Sequence, residues 1–144
     1  MATKQSDDSS RHVAQVVRRP PAEVYAYAVD PDHLPEWAAG LARAAVHREG
    51  DVLVVDSPMG TVTVRFVPRN DLGVLDHDVI LPDGTVVTNP MRVLSHPDGA
   101  EVVFTVRRQG LTDDEFDRDA AQVATDLARL RDLLEAADGI PARP

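Results

Sequence analysis

Residues 112–136 read TDDEFDRDAAQVATDLARLRDLLEA, and the spacing within this stretch decides the fold. Phe116, Ala120, Val123, Leu127, Leu130 and Leu134 recur at steps of four, three, four, three and four. That period sets them on one face of an amphipathic helix of roughly 26 residues, about 39 Å long at 1.5 Å per residue. Thr112-Asp113-Asp114-Glu115 is a capping box, in which the Thr112 hydroxyl accepts a first-turn N–H while Glu115 reaches back. Its acids also suit the positive end of the helix dipole. So long an apolar stripe has to bury against an apolar surface of similar extent.

The residues before it supply that surface. From Leu41 to Gln109 the period is two, with turns at Glu49-Gly50-Asp51, Pro58-Met59-Gly60, Asn70-Asp71-Leu72-Gly73, Pro82-Asp83-Gly84 and Pro97-Asp98-Gly99. This predicts consecutive antiparallel hairpins with six strands at about 41–48, 51–57, 61–69, 73–81, 85–94 and 100–109. Val62, Val64 and Phe66 point opposite to Thr61, Thr63 and Arg65, and Val102, Phe104 and Val106 opposite to Glu101, Thr105 and Arg107. A sheet with one apolar face is covered on one side only, and the long helix is its cover.

Toward the N-terminus, His12–Val17 is β-branched enough for a further strand, ended by Arg18-Arg19-Pro20-Pro21. Proline opens a helix at little cost, so 21–29 is predicted helical with Val24 and Ala28 on one face. Asp30-Pro31-Asp32 breaks it, and 33–39 forms a second short helix bringing Leu34 beside Trp37. Residues 1–10 and 138–144 carry no hydrophobic period and are expected to be flexible tails around one domain, 11–137.

Composition narrows the function. The 144 residues suit one domain with its own core, and 43% hydrophobic with 27% charged residues is a globular balance. The absence of cysteine excludes disulfides, zinc–thiolate sites and cysteine nucleophiles. A net charge of −9 argues against a nucleic-acid partner. No apolar run approaches the ~20 residues that span a bilayer, and MATKQSDDSSRH lacks the apolar centre of a secretory signal. The expectation is a soluble, cytoplasmic protein without membrane insertion.

The order strand, two short helices, six strands, long helix resembles the START/SRPBCC superfamily, often labelled polyketide-cyclase-like and related to the birch-pollen allergen fold. The resemblance covers 12–136 and is carried by RRPPAEVYAYAVDPDHLPEW, GVLDHDVILPDG, NPMRVLSHPDGAEVVFTVRRQG and LTDDEFDRDAAQVATDLARLRDLLE. It implies an α+β helix-grip fold, a curved antiparallel sheet of about seven strands around the C-terminal helix, with a cavity between them. Members bind lipids, sterols, polyketides or plant hormones; some cyclise or dehydrate polyketides, and others partner a heat-shock-chaperone ATPase.

The polar residues on the apolar faces are the candidates for chemistry. His77 shares parity with Leu75, Val79 and Leu81 and points inward, while Asp76 and Asp78 point out, so no Asp76–His77 dyad forms across the sheet. Asn89 shares parity with Val87, Met91 and Val93, and it flanks the 82–84 turn at a distance similar to His77, as a cross-strand neighbour would. Such a pair can polarise a carbonyl, move a proton, or simply satisfy core groups. Arg108 has inward parity at a strand end, poised for a ligand carboxylate or for an acid of the capping turn. The expected lining is Val24, Trp37, Val64, Phe66, His77, Val79, Asn89, Met91, Phe104, Phe116, Ala120 and Val123. The five histidines show no metal-binding spacing, and there is neither a Gly-x-Ser-x-Gly elbow nor a phosphate loop, so no metal or cofactor is expected. Three readings stand: a binder of a small apolar molecule, an enzyme using His77 as acid or base, and a protein-interaction module. A homodimer is compatible with each.

Overall fold

The computed structural model describes residues 9–39, 46–57 and 60–136. The expected start of a strand at 41–45, the turn residues 58–59, and most of both expected tails lie outside these. In chain order the elements are β1 (Ser10–Val17), α1 (Pro21–Val29), a 3-10 turn (Pro31–His33), α2 (Leu34–Trp37), β2 (Val46–Glu49), β3 (Val52–Ser57) and β4 (Gly60–Phe66). They continue with β5 (His77–Ile80), β6 (Val86–Asn89), β7 (Met91–His96), β8 (Gly99–Arg107) and α3 (Asp113–Ala136). Ser10, assigned to the tail by sequence, is the first residue of β1 and pairs with Arg107.

All strand pairs are antiparallel, in the orders β2-β3-β4-β5-β6 and β1-β8-β7. Among the described residues eight strands stand where seven were expected, because the predicted strand 85–94 divides at Pro90 into β6 and β7. Proline has no N–H for the ladder, so regular pairing stops there. Register nevertheless carries through: His77 pairs with Asn89 on one side of the break, and Val74 bridges to Arg92 on the other. The predicted 73–81 and 85–94 are therefore one long interrupted hairpin that links the two sheets.

At the interruption Asp76 takes over the backbone's role. Its Oδ1 accepts the Met91 N–H at 2.8 Å, and its two oxygens receive Arg92 Nε and Nη2 at 3.1 and 2.8 Å. The Arg92 guanidinium holds the Asp76 carboxyl below the usual aspartate range against partial burial, with the Met91 N–H adding to the effect.

The capping box forms as the sequence predicts: Thr112 N–H donates to Glu115 Oε1 at 2.9 Å, and Glu115 N–H to Thr112 Oγ1 at 3.1 Å. The apolar stripe of α3 buries Phe116, Leu127, Leu130 and Leu134, with the helix packed over β1 and β8. Val24, Ala28, Leu34 and Trp37 of the short helices join Val17, Val55, Val62, Val64 and Val102 in the same core. The architecture is a helix grip, a sheet closed around its C-terminal helix.

Gly73 shows how closely the two halves of the hairpin approach. Its φ is +74°, and a Cβ there would lie 2.3 Å from the carbonyl oxygen of Val93. Gly84 also has positive φ, +91°, but faces open space. Denaturant unfolding is expected to show Gly73→Ala less stable by about 2–4 kcal/mol and Gly84→Ala by only about 1 kcal/mol. Equal losses would mean that the backbone contact at Gly73 has no special weight.

Candidate functional site

Between the sheet and α3 lies a cavity of about 400 Å³ with mostly apolar walls. Strand alternation builds its sheet wall. Phe66, His77 and Asn89 stand in one row across β4, β5 and β6, since Phe66 pairs with His77 and His77 with Asn89. Val79 and Val87 form the next row, with Leu81 and Thr85 beyond it toward the turn. Phe104 and Val106 contribute from β8, and Leu34, Trp37 and Ala38 close the side nearest α2.

The helix wall differs from the expected one. Asp119, Gln122, Val123 and Asp126 line the cavity, whereas Ala120 and Phe116 do not. At 100° per residue, 119, 122 and 126 fall about a quarter turn round the helix from the centre of the apolar stripe. The stripe is occupied with β1 and β8, so the polar flank beside it meets the cavity. Phe116 is fully buried, with the guanidiniums of Arg11 and Arg108 at 4.4 and 4.8 Å from its ring centroid. Met91 keeps its inward parity, but past the break at Pro90 it is buried in the core rather than on the cavity wall. Val24 and Val64 are likewise core residues. The structure thus gathers Trp37, Phe66, His77, Val79, Asn89, Phe104, Arg108 and Val123 at the cavity, and places Met91, Phe116 and Ala120 elsewhere. Leu81, Val87 and Val106 were readable from strand parity; the acids were readable only as a polar flank on α3.

His77 is 6% exposed, with its ring 4.8 Å from Phe66 in a tilted stack and 5.8 Å from Phe104 edge-on. Its Nδ1 lies 2.9 Å from the Leu75 carbonyl oxygen. A carbonyl only accepts, so Nδ1 carries the proton, and in the neutral ring Nε2 holds a lone pair. Burial pushes the His77 pKa down, and the Leu75 bond and the fields of Asp76 and Asp78 oppose this without overcoming it. No side-chain hydrogen bond joins His77 to Asn89 among the described residues. Trp37 is 5% exposed, and its indole N–H has no hydrogen-bond partner among the described residues.

At the mouth, Arg108 bonds Asp113 at 2.9 Å and the Leu111 carbonyl at 3.2 Å, so the capping turn is its partner. Arg107 donates to Ser10 Oγ at 2.7 Å. Asp119 sits at the solvent-open rim, where partial withdrawal from water, then the charge of Glu115, raises its pKa. Asp126 is buried and accepts from Gln122 Nε2 at 2.8 Å. The two tyrosines of α1 lie outside the cavity lining: Tyr25 accepts the Asn70 N–H, and Tyr27 stacks on His33 and donates to Glu36. Among the described residues no histidine and acid cluster is arranged to hold a metal ion, and no helix is long and apolar enough to cross a membrane.

The family described as polyketide cyclase/dehydrase and lipid transport matches residues 10–135. A sequence search of curated proteins finds no match. Solved structures share the fold at low identity. DynU16, a protein in the dynemicin biosynthetic locus, is 18% identical with a TM-score of 0.71 over 95% of this chain, which spans 50% of the DynU16 chain. MLL2253 from Mesorhizobium loti is 12% identical with a TM-score of 0.70, over 90% of this chain and 98% of its own. The Aha1 dimer from Colwellia psychrerythraea is 16% identical with a TM-score of 0.67, again over 90% and 98%.

Because the fold disfavours protonated His77, the unfolded chain takes up the proton first on acidification. Stability is then full above the ordinary histidine value of 6.5 and falls as pH drops below it. Denaturation midpoints of wild type and His77→Phe, compared from about pH 7.5 to 5.5, are expected to diverge by up to ~1.4 kcal/mol per pH unit, wild type losing more. Parallel curves would show that His77 is not held neutral.

Proposed function

This chain belongs to the polyketide cyclase/dehydrase and lipid-transport family, and from that membership we propose that its cavity binds a small, largely apolar molecule whose polar group is oriented by His77 and Asn89. The observation that carries the proposal is the cavity of about 400 Å³ between sheet and helix, apolar on most sides, with a few polar groups on its walls. That combination is the usual build of a small-molecule site. Apolar burial supplies affinity at ~25 cal/mol per Å² before the costs of ordering the ligand, and the polar groups supply orientation.

One observation bears on acid–base turnover: Nδ1 of His77 is protonated toward Leu75, which leaves Nε2 as a base. Burial weakens that base, and its Nδ1 partner is a backbone carbonyl rather than a carboxylate that would stabilise an imidazolium. Binding is therefore the better supported reading. The interaction-module reading draws on the Colwellia dimer, which at 16% identity speaks for the fold alone. A second copy of this chain remains an admissible partner on the same footing.

Val87 offers a direct test, since it lines the cavity and is half-buried. Val87→Phe should fill part of the space, weakening the binding of an anilinonaphthalene dye about tenfold or more with little change in unfolding midpoint. Native mass spectra of the freshly purified wild type should also show an added mass that vanishes on denaturation. Unchanged dye affinity in Val87→Phe would place binding outside the cavity.

A further inference from the structure

The polar groups on the cavity wall fall into a pattern that bears on the ligand's own chemistry. His77 presents a lone pair at Nε2, because the Leu75 carbonyl fixes the proton on Nδ1 and the Phe66 and Phe104 rings hold the imidazole in place. The helix wall adds the carboxylate of Asp119, and Asp126, whose Oδ1 is taken by Gln122. At the mouth Arg108 is paired with Asp113, while Arg107 donates to the neutral Ser10 hydroxyl. On the donor side stands the amide of Asn89.

We infer that the cavity selects a ligand whose buried polar group is a neutral hydroxyl, an alcohol or a phenol, over one bearing a carboxylate. A hydroxyl donates to the Nε2 lone pair and still accepts from an N–H donor. A carboxylate only accepts, so it leaves His77 unsatisfied and brings a negative charge toward Asp119 at the rim. This inference rests on the binding proposal and adds the ligand's head group to it.

Trp37 is the sole tryptophan of the chain and lines the cavity, so its emission reports occupancy. Titrations with 1-decanol and with decanoate at about pH 7.5, where the acid is ionised, compare two head groups on one apolar chain. Wild type is expected to bind the alcohol at least about tenfold more tightly. His77→Phe should lower affinity for 1-decanol by about tenfold while leaving decanoate unchanged, and Asp119→Asn should improve decanoate alone. Equal or tighter binding of decanoate by wild type would overturn the head-group inference and leave the cavity proposal standing. Failure of both probes to bind would overturn the two together. Retained decanoate binding in His77→Phe shows that the variant is folded. Because burying any carboxylate costs free energy, the alcohol-specific loss is the decisive readout.

Discussion

The Asp76 carboxylate receiving the Met91 N–H is the contact on which the arrangement turns. In a regular antiparallel pair of this register, Leu75 and Met91 would exchange both backbone bonds. The Leu75 N–H does reach the Met91 carbonyl at 2.8 Å, but the return bond from Met91 goes to Asp76 Oδ1 instead. The Leu75 carbonyl is thereby left without its ladder donor, and His77 Nδ1 takes that place. One displaced hydrogen bond therefore divides the strand and fixes a tautomer in the cavity.

The cavity itself follows from a mismatch of widths. A helix with its side chains is about 10–12 Å across, whereas strands repeat every ~4.8 Å, so one helix covers only two or three of them. The apolar stripe of α3 is spent on β1 and β8. The inner face of β4, β5 and β6 is left to the short helices and to the polar flank of α3, which do not fill it. Small side chains such as Val79, Val87 and Ala38 on those walls keep the space open, where larger ones would have closed it.

Much of this was legible in the sequence because it is periodic. Alternation placed His77 and Asn89 inward, and their similar distances from the 82–84 turn made them candidate cross-strand neighbours, which they are in the β5–β6 register. The 3.6-residue period likewise gave α3 and its cap. What escaped depends on contacts between elements. Phe116 belongs to the apolar stripe by pattern, yet two arginines from β1 and the end of β8 close over it. Asp119 and Asp126 read as solvated helix residues until the sheet's curvature decides which flank of the helix meets the cavity. The division at Pro90 was visible as a proline, but its consequence needed the Asp76 side chain, whose place depends on Arg92 across the hairpin.

The same geometry weighs recognition against proton transfer. Asp76 and Asp78 are the nearest acids to His77 along the chain, but strand alternation turns both to the opposite face, where Asp76 is engaged by Arg92 and Asp78 by Thr88. Their fields reach the imidazole and favour its charged form, yet burial acts the other way and prevails. A histidine base gains when its cationic form is stabilised as the proton arrives, as a carboxylate on Nδ1 does. A backbone carbonyl there orients the ring without offering a charge. The result is a neutral acceptor set in an apolar wall, with its proton fixed on the side away from the cavity.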